Sequence, residues 1–104
     1  MGTSKRYAAH FERLGDLRHV ERTAAGRSPE TLTPREINRE NEDFTLAARA
    51  RPCRAWVRYG QDAILVEAEV CAWTEHAVAI RWRVGEDGYH KAWVWASAVS
   101  DPRS

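Results

Sequence analysis

Cys53-Arg54-Ala55-Trp56-Val57-Arg58-Tyr59-Gly60-Gln61-Asp62-Ala63-Ile64-Leu65-Val66-Glu67-Ala68-Glu69-Val70 reads as two strands reversed by a tight turn. Side chains of a strand point alternately to its two faces, so one face takes Cys53, Ala55, Val57 and Tyr59 and the other Arg54, Trp56 and Arg58. In the second arm the apolar set is Ile64, Val66, Ala68, Val70 and Ala72, and Glu67, Glu69, Cys71 and Trp73 oppose it. Tyr59-Gly60-Gln61-Asp62 supplies the chain reversal, because glycine reaches the positive-φ conformations that tight hairpin turns need.

Downstream the pattern repeats over residues 77–84 and 89–95. Glu75-His76 is a link of hairpin length, and Gly85-Glu86-Asp87-Gly88 is a second turn. Val78, Ile80, Trp82 and Val84, then His90, Ala92 and Val94, join the apolar face. Arg81, Arg83, Lys91, Trp93 and Trp95 join the other. A fifth short strand is expected after residue 95. All five tryptophans and seven of the eight valines lie between Trp56 and Val99, which puts the core in the second half of the chain. A sheet this small buries its apolar face by curling into a barrel or by accepting a helix.

Upstream, Tyr7, Phe11, Leu14, Leu17 and Val20 recur at spacings of four and three, predicting an amphipathic helix over residues 4–25 that ends near Gly26. Gly15 weakens that helix, so its stripe needs a docking surface, and the tryptophan face offers one. Thr33-Pro34-Arg35-Glu36 carries an N-cap, a proline at the first helical position and a glutamate at the third, predicting a second short helix to about residue 42. Phe44 and Leu46 are then expected to tack the connecting segment to the domain. The expected fold class is α+β. Residues 1–50 form a helical arm docked on a small five-stranded antiparallel barrel over residues 51–101, and residues 102–104 are a tail.

Ala92-Trp93-Val94-Trp95-Ala96-Ser97-Ala98-Val99 resembles the closing segment of an SH3-like barrel, where a strand passes through one 3₁₀ turn into a short last strand. Val94 and Val99 match its two core aliphatic positions. The resemblance covers about the last 50 residues and implies the barrel. Peptide-binding members carry an acidic, tyrosine-rich first strand and a proline and a tyrosine flanking the 3₁₀ turn. This chain has Arg54-Ala55-Trp56-Val57-Arg58, Trp95 and Ala98 at those places, which speaks against a proline-motif ligand.

With 104 residues the chain is one small domain. It has no apolar run long enough to cross a bilayer and no apolar stretch behind Lys5-Arg6, so a cytoplasmic location is expected. Cys53 and Cys71 lack metal-ligand spacing and fall on opposite faces, so neither a disulfide nor a metal is expected. Cofactor loops are absent and the four histidines are scattered, which argues against catalysis. His76 reads as a turn residue, His90 as a hydrogen-bonded core histidine, and Glu67 and Glu69 as partners of strand arginines. Fourteen arginines against two lysines, with 16 alanines, suggest a GC-rich bacterial or phage genome.

The remaining feature is the Arg/Trp face: Arg54, Trp56, Arg58, Trp73, Arg81, Arg83, Lys91, Trp93 and Trp95. Tryptophan and arginine together anchor protein interfaces and also single-stranded nucleic acids. A formal net charge of +1 favours a protein partner, because each phosphate contact needs an uncommitted cation. The expectation is a non-catalytic binding or adaptor module, with nucleic acid as the alternative partner. Self-association through a sheet edge or the amphipathic helix is a third reading.

Overall fold

The computed structural model describes residues 17–38, 43–86 and 88–102. Among the described residues are two helices, α1 (Leu17–Ala24) and α2 (Pro34–Ile37), and five strands. These are β1 (Thr45–Tyr59), β2 (Asp62–Trp73), β3 (Ala77–Arg83), β4 (Tyr89–Trp95) and β5 (Val99–Ser100), with a 3₁₀ turn at Ala96–Ala98. The strands form one antiparallel sheet in the order β4-β3-β2-β1-β5, so the architecture is mixed α+β. β4 and β5 are its two edges, and pairing between strands does not close it.

Alternation places the core as read from the residues. Cys53, Ala55, Val57, Tyr59, Ile64, Val66, Ala68, Ile80, Trp82, Ala92 and Val94 are buried in one cluster, with Val70, Val78, Val84 and Val99 packed against it. Tyr59 pairs with Asp62 across the two-residue loop Gly60-Gln61, and Gly60 sits at φ 65°. A side chain is strained there, and a Cβ would also lie 3.3 Å from the Arg27 guanidinium. Gly60→Ala is expected to cost about 1–2 kcal/mol. A shift of the urea midpoint with unchanged slope reads this out.

Three features depart from the sequence reading. β1 begins at Thr45, eight residues before the expected start, because residues 45 and 46 pair with Trp73 and Ala72 beyond a register break. A bulge at Cys71 shifts β2 against β3, so that Ala72 pairs with Ala79 and Trp73 with Val78. Trp73 thereby leaves the Arg/Trp face for the side that carries Val78, since one extra residue inverts the alternation. Leu46 is 72% exposed and fastens nothing.

Of the helical arm, α1 inserts Val20 and Ala24 into the main core, in one cluster with Trp82. Where α1 approaches the β3–β4 turn, a Cβ on Gly85 would stand 2.9 Å from the Glu21 carboxylate, the free end of an exposed side chain. Arg27 ties the helix end to the β1–β2 turn by donating to the Thr23 carbonyl and to the Asp62 carboxylate at 2.8 Å. The expected helix residues before Leu17, including Tyr7, Phe11 and Leu14, lie outside the described residues. α2 has the expected capping box: the Thr33 hydroxyl accepts from the Glu36 N–H and the Glu36 carboxylate accepts from the Thr33 N–H. It stops at Asn38, in the left-handed region at φ 61°, so it is shorter than its expected run to residue 42.

Candidate functional site

Between the two helices the chain crosses the open side of the sheet as a strap. The Glu30 N–H donates to the Arg58 carbonyl at 2.8 Å, at the end of β1. Two residues on, the Leu32 N–H donates to the Trp93 carbonyl and the Trp93 N–H donates to the Thr31 hydroxyl, at 2.9 and 2.8 Å. The strap therefore spans from β1 to β4 where no strand joins them, and satisfies main-chain groups at the β4 edge.

A groove of about 650 Å³ opens beside the strap. Trp56, Trp93 and Trp95 line it, with Arg58, Leu32 and, on the strap side, Glu30 and Glu36. Val57, Val94 and Ala98 are also in its lining. Trp56 and Trp95 are 46% and 44% exposed, a large apolar area left in water. Trp93 is half-buried and held by Phe44, whose ring meets it edge-on at 6.3 Å.

The other expected site residues are dispersed. Arg54 is half-buried, opposite Glu67 on β2 and Ser100 on β5. Arg81 donates to Glu69 at 2.9 Å, the expected cross-strand ion pair, and also lies over the Tyr89 ring. Arg83 donates to the Glu86 carbonyl. Lys91 borders a shallow hollow with Cys71, Arg81, Thr31 and Trp93. Trp73 stacks with Arg51, whose guanidinium carbon is 5.5 Å from the ring centre. The structure thus gathers Trp56, Arg58, Trp93 and Trp95 into one groove and leaves Arg54, Trp73, Arg81, Arg83 and Lys91 outside it. Glu30, Thr31, Leu32 and Glu36 were not readable as site residues. Only the capping signal at Thr33 marked their neighbourhood, because a strap has no periodicity.

Beneath the sheet lies a buried polar network. The Trp82 indole N–H can only donate, and it does so to the Tyr59 hydroxyl at 3.1 Å. The same hydroxyl shares a hydrogen bond with His90 Nδ1, 2.6 Å away, so one phenol oxygen joins Trp82 to His90. His90 is the hydrogen-bonded inward histidine that alternation predicted. Burial raises the Tyr59 phenol above its ordinary value, and the Trp82 hydrogen bond lowers it in part.

Both cysteines are free, Cys53 buried and Cys71 half-buried. Burial pushes the Cys53 thiol up from 9.0 to about 11, with the neighbouring Cys71 and Glu69 charges adding to the rise. The folded state therefore keeps its proton where the unfolded chain loses it. The stabilisation is complete below pH 9.0 and is lost as pH rises through about 11. Cys71 is expected to alkylate in the native protein near about pH 8, and Cys53 only on unfolding. Mass spectrometry of the singly labelled protein checks the order.

Compared with known proteins, the chain matches no family model, no curated protein and no solved structure. Among the described residues no cluster of three or more metal-ligating side chains occurs, and no helix is long and apolar enough to cross a membrane.

Proposed function

We propose that the chain is a non-catalytic binding module of a bacterial or phage cytoplasmic protein, built on a small SH3-like barrel. The strand order, the 3₁₀ turn between β4 and β5, and core contacts at Val94 and Val99 support the barrel. The free cysteines suit a reducing compartment. Its partner is a protein segment that lays apolar side chains into the groove of Trp56, Trp93 and Trp95.

The observation that carries this reading is the lining of the groove. Exposed indoles supply desolvation energy of the kind that anchors protein interfaces. Nucleic acid is the weaker alternative, because Glu30 and Glu36 line the strap side of the groove while Arg81 is paired with Glu69.

A displayed peptide library selected against the whole chain tests the proposal. Selected peptides are expected to lose at least about tenfold in affinity with Trp56→Ala or Trp95→Ala, and to keep their affinity with Trp73→Ala. Both groove side chains are exposed, so their truncation leaves the fold intact. Affinity indifferent to Trp56 and Trp95, or salt-steep binding of oligonucleotides that is lost with Arg58→Ala, overturns it.

A further inference from the structure

The tryptophan groove carries charge as well as apolar area. Among the described residues its ionisable lining is Glu30 and Glu36 from the strap side and Arg58 from β1. All three side chains are exposed, and none of them takes part in an ion pair among the described residues. Two carboxylates against one guanidinium leave the groove one negative charge. The main chain fixes where that charge sits. The Glu30 N–H is bonded to the Arg58 carbonyl at 2.8 Å, and the Glu36 carboxylate accepts from the Thr33 N–H at 2.9 Å, which holds it at the start of α2. Groups ordered before binding lose little freedom when a ligand arrives.

Charge selects what the groove receives. A partner that laid only apolar side chains over Trp56 and Trp95 would take the neighbouring carboxylates out of water with nothing to replace it, and an unpaired charge is costly to cover. A cation removes that cost and is also attracted by the indole faces. Arginine answers both demands better than lysine. Its planar guanidinium stacks on an indole while its N–H groups fork to a carboxylate, whereas an ammonium is a compact and strongly hydrated point charge. One such side chain brings the charge of the lining to zero.

We propose that the segment bound in this groove presents an arginine, its guanidinium stacked on the exposed indoles and paired with Glu30 and Glu36. The proposal rests on the groove being a protein-binding site, as argued above, and names the chemistry of its ligand.

Peptides selected from the displayed library against the whole chain are the probe. Those whose binding needs Trp56 and Trp95 are expected to share an arginine. Exchanging it for citrulline, which keeps the shape and removes the charge, is expected to weaken binding about tenfold or more by fluorescence anisotropy. Glu30→Gln with Glu36→Gln is expected to weaken the arginine peptide to the level of its citrulline form and to leave the citrulline form unchanged. Glutamine at position 36 still accepts from the Thr33 N–H, so the helix cap survives. Arg58→Ala is expected to leave the arginine peptide at least as tightly bound. Peptides that need both tryptophans but carry no arginine overturn this inference and leave the groove reading standing, as do a citrulline form that binds equally well, a double glutamine variant that binds the arginine peptide unweakened, or a tenfold loss with Arg58→Ala. Peptides indifferent to both tryptophans, or a selection that yields none, overturn the groove reading and this inference with it.

Discussion

Trp82→Ala is expected to lower the unfolding free energy by about 3–5 kcal/mol. Trp82 is 1% exposed and is the largest fully buried side chain of the core, packed edge-on against Tyr59 and His90. Its removal leaves a cavity that β1 and β4 are too constrained by their ladders to fill. It also deprives the buried Tyr59 hydroxyl of its donor. A domain of this size has a total stability of roughly 5–15 kcal/mol, so the variant populates unfolded chain readily. Trp82→Phe keeps one aromatic ring but deletes the N–H and part of the indole's volume, and is expected to cost about 1–3 kcal/mol. Urea titration followed by far-UV circular dichroism separates the two, and a loss below about 1 kcal/mol for Trp82→Ala would show that the core does not depend on this ring.

Val20→Asp is expected to cost at least about 3 kcal/mol, although the residue lies in a single short helix outside the sheet. Val20 is 3% exposed and belongs to the same cluster as Tyr59, Trp82 and Val57. The substitution loses that apolar burial and brings a carboxylate to a place lined by valine, alanine and aromatic carbon. Val20 and Ala24 are the buried residues of α1, so the seat of this helix on the sheet depends on them. Hydrogen exchange is expected to accelerate through α1 and through the strap that follows it, because Glu30 and Leu32 hold their bonds to Arg58 and Trp93 from the position the helix gives them. If Val20→Asp unfolds at the wild-type midpoint, α1 is an appendage and the groove must form without it.

How far the residues themselves led is clearest strand by strand. Period-two alternation from Cys53 to Val94 named nearly the whole buried cluster, and Gly60-Gln61 named the first turn, because side-chain direction and turn conformation are local properties of the backbone. The capping box of α2 and the Arg81–Glu69 pair were legible for the same reason: each joins neighbours along a chain or across a ladder whose register follows from its turn. His90 was legible as an inward histidine, but its partner Tyr59, 31 residues away, was not.

Alternation lost its hold where register changed. The bulge at Cys71 turned Trp73 off the Arg/Trp face, and no residue type announces a bulge there, since it answers to how two strands twist against each other. The strap had no signal either, for its bonds to Arg58 and Trp93 exist only once β1 and β4 stand a strap's width apart. Composition and spacing by themselves determined that this chain forms antiparallel strands with one apolar and one Arg/Trp-bearing face, preceded by helical segments. Only the tertiary structure decided which tryptophans meet, that Val20 enters the core, and that Glu30 and Glu36 face Trp56 and Trp95 across one groove. The physical reason is that periodicity encodes which way a side chain points, while a site is built from distances between segments far apart in sequence, and those are set by packing.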